Sequence, residues 1–134
     1  MSARTVFLAR LLGLYCLVAA LAMITHKRVV VETVTALVHD APLMFTVGVM
    51  TLVAGLAMVL AHNVWSGGAL PVVVTVIGWV TLAKSLLLLF LSPAGAAGFF
   101  LGTVQYEQYF YFYAGISLIL GLFLTFQGFR STSR

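Results

Sequence analysis

Charge is what this sequence has least of: its 134 residues include seven Lys and Arg and three Asp and Glu, together 7% of the chain. A soluble domain of that length needs a charged shell that these residues cannot supply, so a water-soluble fold is excluded. The three acids, Glu32, Asp40 and Glu107, all fall outside the long apolar runs, which leaves neither paired catalytic carboxylates nor a carboxylate for an intramembrane proton relay. Cysteine occurs once, as Cys16, so an intramolecular disulfide and a cysteine-based metal site are both excluded. The basic residues are too few and too scattered to form the clustered face that nucleic acid requires. Phosphate-cradling glycine loops and nucleophile–base arrangements are absent as well, so neither an enzyme nor a resident cofactor is expected.

What remains is apolar. Hydrophobic residues make up 63% of the chain, and mean hydropathy is +1.15. The apolar positions gather into four runs, residues 6–25, 42–62, 71–92 and 109–129. Each is about 20 residues long, or roughly 30 Å as helix, the thickness of a bilayer's hydrocarbon core. They are twice the length of a barrel strand and show no apolar/polar alternation. The expectation is therefore an all-α integral membrane protein with one domain over 1–134, its four transmembrane helices packed as an antiparallel up-down bundle. Arg4 and Arg10 followed by an apolar stretch ending "AALA" also resemble a secretory signal; we expect the segment to be retained as the first span.

With four spans, one side of the membrane receives Arg4, Arg10, Arg130 and Arg134, and the other only Lys27 and Arg28. The excess places both termini in the cytoplasm of a plasma (inner) membrane. The inner connection "HNVWSGGALP" reads as a short turn, with Gly67 and Gly68 breaking the helix, Pro71 suited to a first helical turn, and Trp65 at headgroup height. Between spans one and two, residues 29–40 place Val30, Val34, Leu37 and Val38 on one helical face and Glu32, Thr35 and His39 on another. That pattern predicts a short helix lying in the outer interface. The second outer connection, 92–108, is glycine-rich and reads as irregular or re-entrant.

Small residues recur on each run at spacings of three, four or seven. Gly13 on the first, Gly48 and Gly55 on the second, Gly78 on the third, and Ser117 and Gly121 on the fourth mark the expected helix-packing faces. Lipid supplies no hydrophobic drive between helices, so close backbone approach along such stripes must hold a bundle together. The halves of the chain also resemble each other. Placing Gly13 on Gly78 and Gly48 on Ala114, an offset of 65 to 66 residues, aligns "GLYCLVAAL" with "GWVTLAKSL" and suggests two copies of a helical hairpin.

The third run contains Lys84, about 20 Å from its Pro71 end and about 12 Å from its Ser92 end by helical rise. A lysine at the centre of a span costs roughly 2.5–3.5 kcal/mol on insertion scales, which the surrounding apolar residues offset. Thr81, Lys84 and Ser85 are three and four apart, and Ser85 belongs to the small-residue stripe, so the ammonium is expected to point between helices. Its expected contacts are Glu107, Glu32 or Asp40, a lipid phosphate, or the carboxylate of another subunit, with an anion or proton path as the sharper alternative.

Tyr106, Tyr109 and Tyr113 follow one face at three and four spacing and read as an outer aromatic belt, with Trp65 at the inner surface; the alternative is a contact of their phenol hydroxyls with a ring-bearing lipid, quinone or pigment. His26 and His39 fall on the outer side and His62 on the inner, so the three cannot share a metal. Small multidrug transporters are four-helix proteins of similar length, but they depend on a glutamate in the first helix, where "TVFLARLLGLYCLVAALAMIT" has no acid. Two functions are compatible with this polar inventory. One is a non-catalytic subunit that packs against or stabilises a larger membrane complex. The other is a small homo-oligomeric channel or transporter with a polar path near Lys84. Membrane lipids are partners in either case, and nucleic acid in neither.

Overall fold

A computed structural model describes residues 2–103, 105 and 108–130. These are almost entirely helical, with no strand among the described residues. Four helices are long and apolar enough to cross a membrane, α1 (Ala3–Thr25), α3 (Ala41–Ala61), α4 (Ala69–Phe90) and α7 (Phe110–Arg130). The shorter elements are α2 (Lys27–His39), α5 (Pro93–Ala97) and a π-helical turn, α6 (Gly98–Thr103). The chain is a helical membrane protein.

Local sequence explains the boundaries. Ser2 caps α1 by accepting the Thr5 N–H, and Asp40 caps α3 by accepting the Leu43 N–H at 3.0 Å, with Pro42 in the first turn. Only His26 separates α1 from α2. The turn between α3 and α4 needs glycine twice, because Gly67 and Gly68 have φ of +91° and +114°. After α4 the described residues are helical where the sequence predicts an irregular or re-entrant segment: Ser92 caps α5, Pro93 occupies its first turn, and the π-helix continues it.

The four spans associate chiefly as two pairs, α1 with α7 and α3 with α4. In the first pair, a methyl group added at Gly13 would come within 2.6 Å of the Thr125 backbone nitrogen, one at Gly121 within 2.8 Å of the Leu17 nitrogen, and one at Gly128 within 3.1 Å of the Arg10 nitrogen. Partners on α7 descend in number as those on α1 ascend. The second pair repeats the device at Gly55, where an added methyl would come within 2.8 Å of the Leu82 nitrogen, while one at Gly48 would meet the side chains of Leu88 and Leu89 and one at Gly78 those of Met58 and Val59. At Gly13, Gly121, Gly128 and Gly55 glycine is required for space, since a Cβ would meet backbone that cannot swing aside. Ser117 Oγ donates to Cys16 O at 3.1 Å across the first interface.

The two pairs meet where α1 approaches α4, around a cluster of Ala9, Leu70, Val74 and Leu124. At the other end Val38, Met44, Leu88 and Ala96 form a second cluster, in which the apolar side of α2 covers the ends of α3, α4 and α5. Glu32 and His39 are on its exposed side, Glu32 paired with Arg28 at 2.8 Å. That pair is surface-exposed and contributes little.

Gly55→Ala and Gly121→Ala should each force a pair apart and destabilise the protein by about 1–3 kcal/mol, measured as thermal unfolding in detergent. Gly115→Ala, where nothing lies within 4 Å of the added carbon, should be neutral or slightly stabilising; equal losses at all three would remove close approach as the explanation.

Candidate functional site

Of the four buried polar residues among those described, Thr5, His62, Thr75 and Ser85, the first three are gathered at the end where α3 finishes. His62 caps α3 in an extended conformation, which turns its ring under the bundle, where it is 3% exposed. Its Nε2 lies 2.8 Å from Thr5 Oγ1 of α1, and its Nδ1 lies 3.1 Å from Thr75 Oγ1 of α4. Both threonines are equally buried. One imidazole thus joins three spans drawn from both helix pairs.

Counting hydrogens orders this knot. Thr75 Oγ1 accepts the Val64 N–H at 3.0 Å and has carbonyls of Val64 and Pro71 at 2.8 and 2.9 Å, one of which must take its single proton. Its remaining lone pair faces His62 Nδ1, so that nitrogen carries a hydrogen. Thr5 then donates to Nε2 and accepts from Ser2 Oγ, 2.9 Å away, while Ser2 accepts the Thr5 N–H at 3.2 Å. Every member is satisfied, which is the condition for burying polar groups at no net loss.

Around the knot lies an exposed rim. Asn63 Oδ1 accepts from two indoles, Trp65 Nε1 at 2.8 Å and Trp79 Nε1 at 3.3 Å, so the turn and α4 are held by one amide. Arg4 reaches Ala61 O at 3.5 Å, where a cation suits the carbonyl end of α3. Arg10 Nε donates to Gly128 O at 3.1 Å, and its guanidinium stacks over the Phe129 ring at 4.8 Å.

The side chains singled out around Lys84 are not brought together. Ser85 is fully buried and its hydroxyl donates to Leu82 O. Thr81, partly buried, donates to Ile77 O. Lys84 is exposed on the outer surface of α4, so the inward-pointing lysine expected from spacing is corrected. Adjacent helical positions diverge by about 100°, enough to turn Lys84 out while Ser85 turns in. Among the described residues Lys84 has no ion-pair partner. Glu107 and Tyr106 lie outside the described residues, so a Lys84–Glu107 pair and the start of the tyrosine stripe do too. Tyr109 is exposed and Tyr113 partly so. Lys27, at the start of α2, has its ammonium 4.8 Å from the Tyr111 ring and 5.8 Å from that of Phe110.

Sequence reasoning missed the His62 knot, because its bonds join residues 57 and 13 positions apart. The available signal was that Thr5 and Thr75 each sit near the inner end of an apolar run, level with a histidine at a helix end. Among the described residues no three His, Cys, Asp or Glu side chains converge as metal ligands. No family model, curated protein or solved structure matches the chain.

His62→Ala should remove both ring bonds to the buried threonines, which keep their other partners, and destabilise the protein by about 1–3 kcal/mol, whereas Asn63→Ala, on the exposed rim, should cost well under 1 kcal/mol. Thermal unfolding in detergent compares them, and equal losses would show that the knot does not tie the pairs.

Proposed function

We propose that the protein is a small non-catalytic integral membrane subunit that packs against, and stabilises, a larger membrane complex. In this reading its spans run up and down through a plasma (inner) membrane with both termini cytoplasmic. Arg4, Arg10 and Arg130 belong to the His62 end of the bundle, with Trp65 and Trp79 at its rim, as an inner surface requires. α2 lies in the outer interface, its apolar side inward and Glu32 outward. Tyr109 and Tyr113 belong to the outer aromatic belt.

We further propose that the bundle is two copies of one hairpin, α1 with α3 and α4 with α7. Support comes from contacts that recur at the offset of 65 to 66 residues. Gly121 against Leu17 corresponds to Gly55 against Leu82, and Gly13 against Thr125 to Gly78 against Val59. The Arg10–Gly128 bond corresponds to the Thr75–His62 bond. Each copy pairs with the other rather than folding on itself.

The observation that carries the subunit role is how the polar groups are spent. Among the described residues the buried ones mostly tie spans to one another, in the knot and in the Ser117–Cys16 bond, while Ser85 bonds back to Leu82 O of its own helix and Thr125 Oγ1 is left without a partner against Gly13, so they serve assembly. Broad apolar faces point outward, with Leu60 and Phe90 each 82% exposed. A channel or transporter built on Lys84, Thr81 and Ser85 has less support, because those side chains do not line one surface.

Purification in mild detergent tests the proposal. Stoichiometric co-purification with a larger membrane protein is the expected result; a lone homo-oligomer that passes ions in liposomes, with flux lost in Lys84→Ala, would overturn it.

A further inference from the structure

The exposed face of α4 is apolar except at one place. Val76, Val80, Ala83 and Lys84 stand at successive four-, three- and one-residue steps, and all are exposed. Lys84 is six residues short of Phe90, about 9 Å by helical rise. Leu88, one turn further out and only about 40° round the helix, is already buried in the cluster with Val38 of α2 and Met44 of α3, so the open face ends at Lys84. The ammonium therefore belongs to the outer part of the hydrocarbon layer.

Its direction matters as much as its depth. Side chains on a helix lean toward the helix N-terminus, and α4 begins at the inner surface. Lys84 consequently leans away from the nearer, outer headgroups, and the inner ones lie fifteen residues away at Ala69. Escape to a lipid phosphate runs against the backbone geometry. The corresponding position in the first half of the chain, by the same offset, is Ala19, so the bundle's architecture does not call for a charge there.

We infer that this face of α4 receives a transmembrane helix of a partner protein that carries a carboxylate opposite Lys84, in the outer half of its own span. The inference rests on the subunit reading and names the partner's chemistry. A second copy of this chain does not fit, because no acid lies in any of its four spans. Of its own described acids, Glu32 is paired with Arg28 and Asp40 caps α3; Glu107 lies outside the described residues and is an arm of the test below. Ala83, between Val80 and Lys84, lets the incoming helix approach closely, and a carboxylate–ammonium pair away from water is held strongly once formed.

The full chain, labelled with a fluorescent donor in phosphatidylcholine vesicles at neutral pH, would be titrated with an acceptor-labelled Leu/Ala transmembrane peptide of about 20 residues. The peptide bears a single Glu about 9 Å from its outer end, or Gln in its place. The wild-type protein should bind the Glu peptide at least tenfold more tightly than the Gln peptide. Lys84→Met should abolish that preference, and Lys84→Glu should transfer it to a Lys-bearing peptide. Equal binding of the two peptides, or a preference that survives Lys84→Met, overturns the proposal. So does a preference that emerges only in Glu107→Gln, which would make Glu107 the lysine's own partner, or one erased by adding phosphatidylglycerol, which would give the site to lipid phosphate. If the native protein co-purifies stoichiometrically with a larger complex and Lys84→Met changes neither that nor peptide binding, the subunit reading stands and this inference alone fails.

Discussion

The structure depends on helix backbones touching without side chains between them. In water an apolar face is driven together by the solvent, but in a bilayer the surrounding acyl chains are as apolar as leucine, and association must come from contact quality. Gly13, Gly121 and Gly128 supply that contact between α1 and α7 and Gly55 between α3 and α4, where Gly48 and Gly78 instead leave room for the facing side chains. Without a Cβ, the chains come near enough for dispersion to act over backbone atoms as well as side chains, and for Ser117 to reach the Cys16 carbonyl.

Two tight pairs do not make one body. The pairs are joined by a small apolar cluster around Ala9 and Val74, by α2 at one end, and by the His62 knot at the other. These joints differ in character. Apolar contacts between helices can slide, whereas the imidazole fixes a direction at each ring nitrogen and so sets the register of α1 against α4. Polar groups in this protein are few, and position counts for more than number.

Most of the architecture was legible in the residues. Runs of about 20 apolar positions gave the spans to within three residues at each end, because length and hydropathy are the constraints a bilayer imposes. The amphipathic pattern of 29–40 anticipated α2, and the small residues anticipated where the spans touch, since a glycine inside an apolar helix has little other use. Two things were not legible. Spacing placed Lys84 beside Ser85 and hence inward, but a buried stripe only one glycine wide leaves its neighbours on either side free to face out, and periodicity alone does not say on which flank the stripe ends. The His62 knot was hidden because its partners are set by how the pairs are arranged, which no local pattern encodes.

The pairing of the first span with the last bears on how the protein is made. When α1 leaves the ribosome, its Gly13 side has no partner until Phe110–Arg130 follows, a helix that begins 85 residues after Thr25 and ends 105 residues after it. At roughly 5–20 residues per second that is on the order of ten seconds. Through that interval the earliest helix must be held by lipid or by the insertion machinery, and α3 and α4, joined by a short turn, will have closed on each other first. Biogenesis therefore runs from the middle of the chain outward, and its last event is the capture of the oldest helix by the youngest.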